Sequence, residues 1–151
     1  MNIELREITS ENWEDCVDLS VNDDQKNFVA PNWYSLLQSK FETDISVLAI
    51  YDENEEMVGF LMYDSNPDYK NSNDPRMEMS RLMIDKKHQK KGYGKMAVGK
   101  LLNLIRTRYG GIKFYTSIEP GNIIAEKLYE SFGFRKTGEV EYDELVLMVQ
   151  L

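Results

Sequence analysis

Between a strand-like run, Met77 to Asp85, and an amphipathic helical run, Lys95 to about Arg108, the chain carries Gln89-Lys90-Lys91-Gly92-Tyr93-Gly94-Lys95. This junction limits the possible folds more than any other stretch. A helix start leaves its first four N–H groups without partners, at the positive end of the macrodipole. Glycines at 92 and 94 let backbone come close to an anion and take up positive φ where required. Lys90, Lys91 and Lys95 add positive charge. The chemistry that fits is binding of a phosphate or diphosphate. Solvated lysines on an ordinary loop would give the same string, so the surroundings must decide. Neither G-x-G-x-x-G nor G-x-x-x-x-G-K-[ST] occurs, which disfavours dinucleotide and nucleoside triphosphate folds.

Reading outward, Ile3, Leu5 and Ile8 mark a short first strand. Trp13, Cys16, Val17 and Leu19 have helical spacing behind a Thr9 or Ser10 cap, and Pro31 precedes a second helix, Trp33 to Phe41. Ile45 to Tyr51 and Met57 to Tyr63 read as an antiparallel hairpin. Asn66 to Pro75 is polar and turn-rich, a surface loop. Within the following strand Leu82 and Ile84 point to one face, Arg81 and Met83 to the other. The helix after Gly94 aligns Ala97, Leu101, Leu104 and Arg108 and stops at Gly110-Gly111. Ile112 to Ile118 is a strand and Asn122 to Phe132 a helix closed by Gly133. A hairpin of Gly138 to Glu141 and Leu145 to Gln150 ends the chain. This order predicts a mixed α/β (α+β) fold in one domain over residues 1–151. Its centre is a mixed, mostly antiparallel sheet of six to seven strands, flanked by about four helices. Two strand-to-helix crossovers, at 85–95 and 118–122, predict two parallel pairings.

At 151 residues the chain is long enough for one buried core without staples. Cys16 and His88 are the only residues of their types and stand far apart, so neither a disulfide nor a metal site is expected. A net charge of −8 repels nucleic-acid phosphates and attracts small cations. No apolar run approaches the roughly 18 residues of a membrane span, and the first residues lack the order of a secretory signal. A cytoplasmic protein with no membrane or nucleic-acid partner is expected.

Gln89-x-x-Gly92-x-Gly94 after Arg81-Leu82-Met83-Ile84-Asp85 resembles the coenzyme A signature of the GNAT superfamily of N-acetyltransferases. A second motif supports it: Asn122, then Tyr129, then Glu130-Ser131-Phe132-Gly133-Phe134. Seven residues is almost two helical turns, which puts Asn122 and Tyr129 on one face. The family commonly has glycine where Lys90 stands, although Lys90 still offers its backbone N–H. The resemblance implies acetyl-CoA as cofactor, and direct attack of a primary amine within a ternary complex. It places the pantetheine arm along Leu82, Met83 and Ile84, and the diphosphate on Gln89, Lys90, Lys91, Gly92, Tyr93, Gly94 and Lys95. Asn122 and Tyr129 contact the cofactor, with Tyr129 as proton donor to the departing thiolate.

Glu78, which by strand alternation shares a face with Ser80, Leu82 and Ile84, is the candidate base; an ordered water is the alternative. His88 reads as loop support. Gln25-x-x-Phe28-Val29 is similar to bacterial spermine/spermidine (diamine) acetyltransferases, in which this stretch roofs the acceptor pocket. A polyamine needs spaced carboxylates and apolar walls. Asp23, Asp24 and Glu119, with Gln25 and Phe28, are the candidates to bind it, and Glu139 and Glu141 are further acids of the same kind. Other readings on the same fold are a peptide N-terminal acetyltransferase and a non-catalytic acyl-CoA-binding module. A homodimer through the closing hairpin is an association the family allows.

Overall fold

The computed structural model describes residues 1–65 and 76–151; the expected surface loop, 66–75, lies outside the described residues. Among the described residues there are seven strands in one sheet: β1 (Ile3–Glu7), β2 (Ile45–Asp52), β3 (Met57–Asp64), β4 (Arg76–Ile84), β5 (Lys113–Ile118), β6 (Arg135–Glu141) and β7 (Glu144–Gln150). Four α-helices accompany them: α1 (Trp13–Asp18), α2 (Asn32–Phe41), α3 (Tyr93–Tyr109) and α4 (Ile123–Glu130). Short 3₁₀ turns occupy Asp23–Gln25 and Lys86–His88. None of the described helices is long and apolar enough to cross a membrane.

The sheet order is β1-β2-β3-β4-β5-β7-β6, and of its ladders only β4 with β5 is parallel. The second parallel pairing predicted from the crossovers does not form. Strand β6, reached through α4, lies beside β7, and β7 takes the place next to β5. Side-chain chemistry explains this. Every residue of β6 is exposed, as suits an edge, whereas Val146 and Leu147 of β7 are buried.

Strand β3 is apolar at consecutive positions because both its faces are covered. Val58, Leu61 and Tyr63 join the core under α3 and α4, while Met57, Phe60 and Met62 join a second core with Cys16 of α1 and Leu36 of α2. Gly59 is the exception. A Cβ there would lie 2.6 Å from the Met83 carbonyl oxygen and 2.8 Å from Ile84 Cδ1, so β3 and β4 approach too closely for a side chain. Cys16 is fully buried, and burial pushes its thiol up to about 12. Its carbonyl accepts a hydrogen bond from Asn32 Nδ2 at 2.9 Å, which ties α1 to α2.

Strand β4 carries an irregularity that sets the faces of its side chains. Met62 of β3 pairs with Arg81, but Tyr63 pairs with Met79, so Ser80 is the extra residue of a bulge. Met77 and Met79 before the bulge pack under α3 and α4; beyond it Leu82 and Ile84 do so, and Met83 belongs to the opposite core. Glu78 therefore shares a face with Arg81 and Met83. The alternation expected to group it with Leu82 and Ile84 is broken at Ser80.

Candidate active site

The parallel ladder between β4 and β5 ends at Met79 opposite Thr116, where the Thr116 hydroxyl donates to the Met79 carbonyl at 3.0 Å. Beyond that point the strands part, and a cleft of about 820 Å³ opens between them. The Asp85 N–H donates to the Val58 carbonyl at 2.8 Å. Antiparallel alternation then turns the backbone groups of Met83 toward β3 and those of Leu82 and Ile84 away from it, into the cleft. The Ile84 carbonyl accepts from Gln89 Nε2 at 3.0 Å. Apart from that one bond, this stretch of β4 turns a strand edge to the cleft, which an extended chain of amides can join as an added strand.

At the far end of β4 the chain turns into α3. The helix starts at Tyr93, two residues before the Lys95 start read from the glycines, and Gly92 is its N-cap at φ 88. Lys90 also has a positive φ, 65. The turn is thus made at Lys90 and Gly92, and Gly94 sits inside the first helical turn. The first intrahelical bond is Met96 N–H to the Gly92 carbonyl. The N–H groups of Tyr93, Gly94 and Lys95 are left to an outside acceptor. Lys90, Gly92, Tyr93, Gly94 and Lys95 line the cleft; Lys91 is exposed and does not.

The segment between α1 and α2 covers the opposite side and is pinned to the β4–α3 turn. Ser20 N–H donates to Asp85 Oδ1 at 2.9 Å, and Lys86 N–H to the Ser20 carbonyl at 2.7 Å. Asn22 Nδ2 donates to Gln89 Oε1 at 3.0 Å, and Gln89 Nε2 to Gln25 Oε1 at 2.7 Å. The Gln89 side chain lines the cleft and also braces both of its walls. Asp24, Gln25 and Phe28 of this segment line the cleft. Asp23 does not; it is exposed and paired with Lys26 at 2.8 Å, which holds its carboxyl below the usual range.

On the other wall stand Asn122, Tyr129 and Glu119. Asn122 caps α4, its side-chain oxygen accepting from Ala125 N–H at 3.3 Å. Tyr129 is buried against Phe134, ring centroids 5.6 Å apart. Burial pushes its phenol up to about 12; the Thr116 hydroxyl works against the rise and the Glu144 carboxylate adds to it. The phenol keeps its proton at neutral pH.

Glu78 does not line the cleft. It is partly buried opposite Asp64, and burial, followed by the carboxylates of Asp64 and Glu141, raises its pKa against the pull of Arg76. His88 does line the cleft. Its Nε2 lies 3.1 Å from Glu56, its Nδ1 is buried without a hydrogen-bond partner, and its ring meets Tyr93 edge-on. Arg81 and Glu144 are among the lining residues to which the sequence assigned no role in the site. Arg81 donates to Ser35 Oγ at 3.0 Å and Gln38 Oε1 at 2.7 Å, fixing α2 to the mouth. Glu144 accepts from Ser117 Oγ at 2.9 Å. The apolar alternation Leu145, Leu147, Val149 was the available signal, since it turns Glu144 to the other face.

A splayed parallel pair, a glycine-led helix start and a buried tyrosine behind them are arranged as in an acyl-transferring enzyme that binds a phosphate-bearing cofactor. Residues 4–134 match the family model for the acetyltransferase (GNAT) family, and the chain belongs to that family. It is 31% identical over 151 residues to a probable spermine N(1)-acetyltransferase of Bacillus subtilis subsp. natto (strain BEST195), covering 99% of each chain. It is 30% identical, again over 99% of each, to the spermine/spermidine N(1)-acetyltransferase of Bacillus subtilis (strain 168). The fold is also that of the spermidine N-acetyltransferase from Vibrio cholerae solved with CoA and spermine. The TM-score is 0.76 at 18% identity, over 99% of this chain and 95% of that one.

Proposed function

We propose that this chain transfers the acetyl group of acetyl-CoA to a primary amine of a polyamine such as spermine or spermidine, working as one domain over residues 1–151 in the cytoplasm. The observation that carries this reading is the meeting, in one cleft, of a helix start flanked by Lys90 and Lys95 with the carboxylates of Asp24, Glu119 and Glu144. The first suits a diphosphate and the second a small polycation. The names of the two Bacillus relatives support the same acceptor.

Acetyl-CoA, when bound, supplies an activated acyl thioester. The residues present fit it. The backbone groups of Leu82 and Ile84 suit the amides of an extended pantetheine arm, and the N–H groups of Tyr93, Gly94 and Lys95 suit its diphosphate. Tyr129 Oη holds a proton at neutral pH and is the group to offer it to a departing thiolate, whose conjugate acid has a pKa of about 8.5. An alkylamine, with pKa of about 10.4, must lose a proton before it attacks. Glu78 lies off the cleft lining, so in this reading that proton leaves through water.

The test is thiol release from acetyl-CoA with spermine, spermidine, putrescine, an aminoglycoside and a short peptide. The expected result is a kcat/KM for the polyamines at least about ten-fold above that for the peptide, a difference of about 1.4 kcal/mol. Turnover of the peptide alone would replace this reading with a peptide N-terminal acetyltransferase. Silence throughout, with acetyl-CoA bound, would leave a binding module.

A further inference from the structure

Glu144 opens β7 directly after Tyr142 and Asp143, both left-handed at φ 49 and 64, which make the tight turn of the closing hairpin. Leu145, Leu147 and Val149 pack under α3 and α4, so Glu144 points to the opposite face. Ser117 of β5 lies on that face too, because Phe114 and Ile118 belong to the core. The 2.9 Å bond from Ser117 Oγ to Oε2 fixes the carboxylate at the cleft wall. From there its charge reaches both the phenol of Tyr129 and the guanidinium of Arg81. Arg81 is committed to Ser35 and Gln38, and among the described residues Glu144 has no ion-pair partner. Asp24 and Glu119 line the same cleft, but Glu144 is the one of the three whose carboxylate is fixed by a side-chain bond from the cleft wall, that of Ser117.

We infer that Glu144 holds the second ammonium of a di- or polyamine, the one next along the chain from the nitrogen that reacts. This rests on the polyamine reading above. The ordinary pKa values of a carboxyl group and an alkylammonium differ by about six units, so a carboxylate holds an ammonium far better than it takes its proton. Placed at the reacting nitrogen, it would stabilise the protonated form and oppose attack. Placed one methylene spacer away, it fixes the acceptor and leaves the terminal nitrogen to deprotonate. Glu144 is then a specificity residue that separates diamines from monoamines of equal length.

The variant is Glu144→Gln, which keeps the shape and the bond from Ser117 while removing the charge. Two quantities are measured: the ratio of kcat/KM for 1,4-diaminobutane to that for butylamine, and spermidine affinity by calorimetry without acyl donor. The ratio is expected to fall at least about ten-fold, and spermidine to bind at least about ten-fold more weakly. Glu144→Asp should recover part of both. A ratio unchanged while both amines lose kcat alike would make Glu144 a base and overturn the inference. Equal spermidine affinity in wild type and Glu144→Gln would overturn it as well. Failure of the polyamine-transfer reading looks different: wild type would then release no thiol with any amine, and the calorimetric comparison would still decide the role of Glu144.

Discussion

Replacing Tyr129 with Phe is expected to lower kcat by at least about ten-fold, since a positioned proton donor is typically worth about 10² to 10⁴ in rate. Affinity for coenzyme A should stay within about two-fold, because the ring remains seated against Phe134 and only the hydroxyl is lost. Equal turnover in the variant would remove Tyr129 from the proton transfer. A second signature lies in stability against pH. The folded phenol titrates at about 12 and the unfolded one at 10.0, so burying it neutral contributes stability that is complete below pH 10 and is lost as pH rises through 12. By linkage the loss is about 2 to 3 kcal/mol in wild type, and Tyr129→Phe should lack that share of the alkaline slope in denaturant melts.

Charge reversal at Lys90 carries the second large effect. Lys90→Glu changes the local charge by two at the start of α3, where the N–H groups of Tyr93, Gly94 and Lys95 have no intrahelical acceptor. The dissociation constant for coenzyme A should rise at least about ten-fold, or 1.4 kcal/mol, and less so at high salt. The left-handed backbone at Lys90 strains Glu no more than Lys, so the comparison isolates charge. Lys91→Glu is the control: that side chain is exposed and off the cleft lining, and its loss should stay under about three-fold. Calorimetric titration of both variants separates the cases. The reverse ranking would remove the diphosphate from the α3 N-terminus.

The junction from β4 into α3 was legible because glycines and lysines at a helix start have a local physical meaning. Asn122 and Tyr129 were named through the second motif of the family resemblance; helical periodicity adds that they share a face, and both line the cleft. Features set by tertiary pairing could not be read this way. The bulge at Ser80 is a property of how β3 and β4 meet, and no local signal at Ser80 announces that alternation fails there. The insertion of β7 between β5 and β6 follows from which strand is apolar on both faces, not from chain order. Glu144 escaped notice because Tyr142-Asp143-Glu144 reads as a solvated turn, and Tyr and Asp are unusual residues for two successive left-handed positions. The resemblance carried by Gln25-x-x-Phe28-Val29 pointed to a small polycation, and Asp24 and Glu119 among the acids named from sequence do line the cleft; that Asp23 does not and Glu144 does required coordinates.

Cys16 has a practical bearing on all such measurements. Disulfide reagents of the kind used to follow coenzyme A release are attacked by thiolates. The protein's one thiol is buried at the α1–sheet contact and remains protonated far above neutral pH. In the native enzyme the colour such a reagent develops therefore counts product alone. Any signal in the absence of acetyl donor counts openings of α1 from the sheet, so a single reagent reports both turnover and breathing of the scaffold.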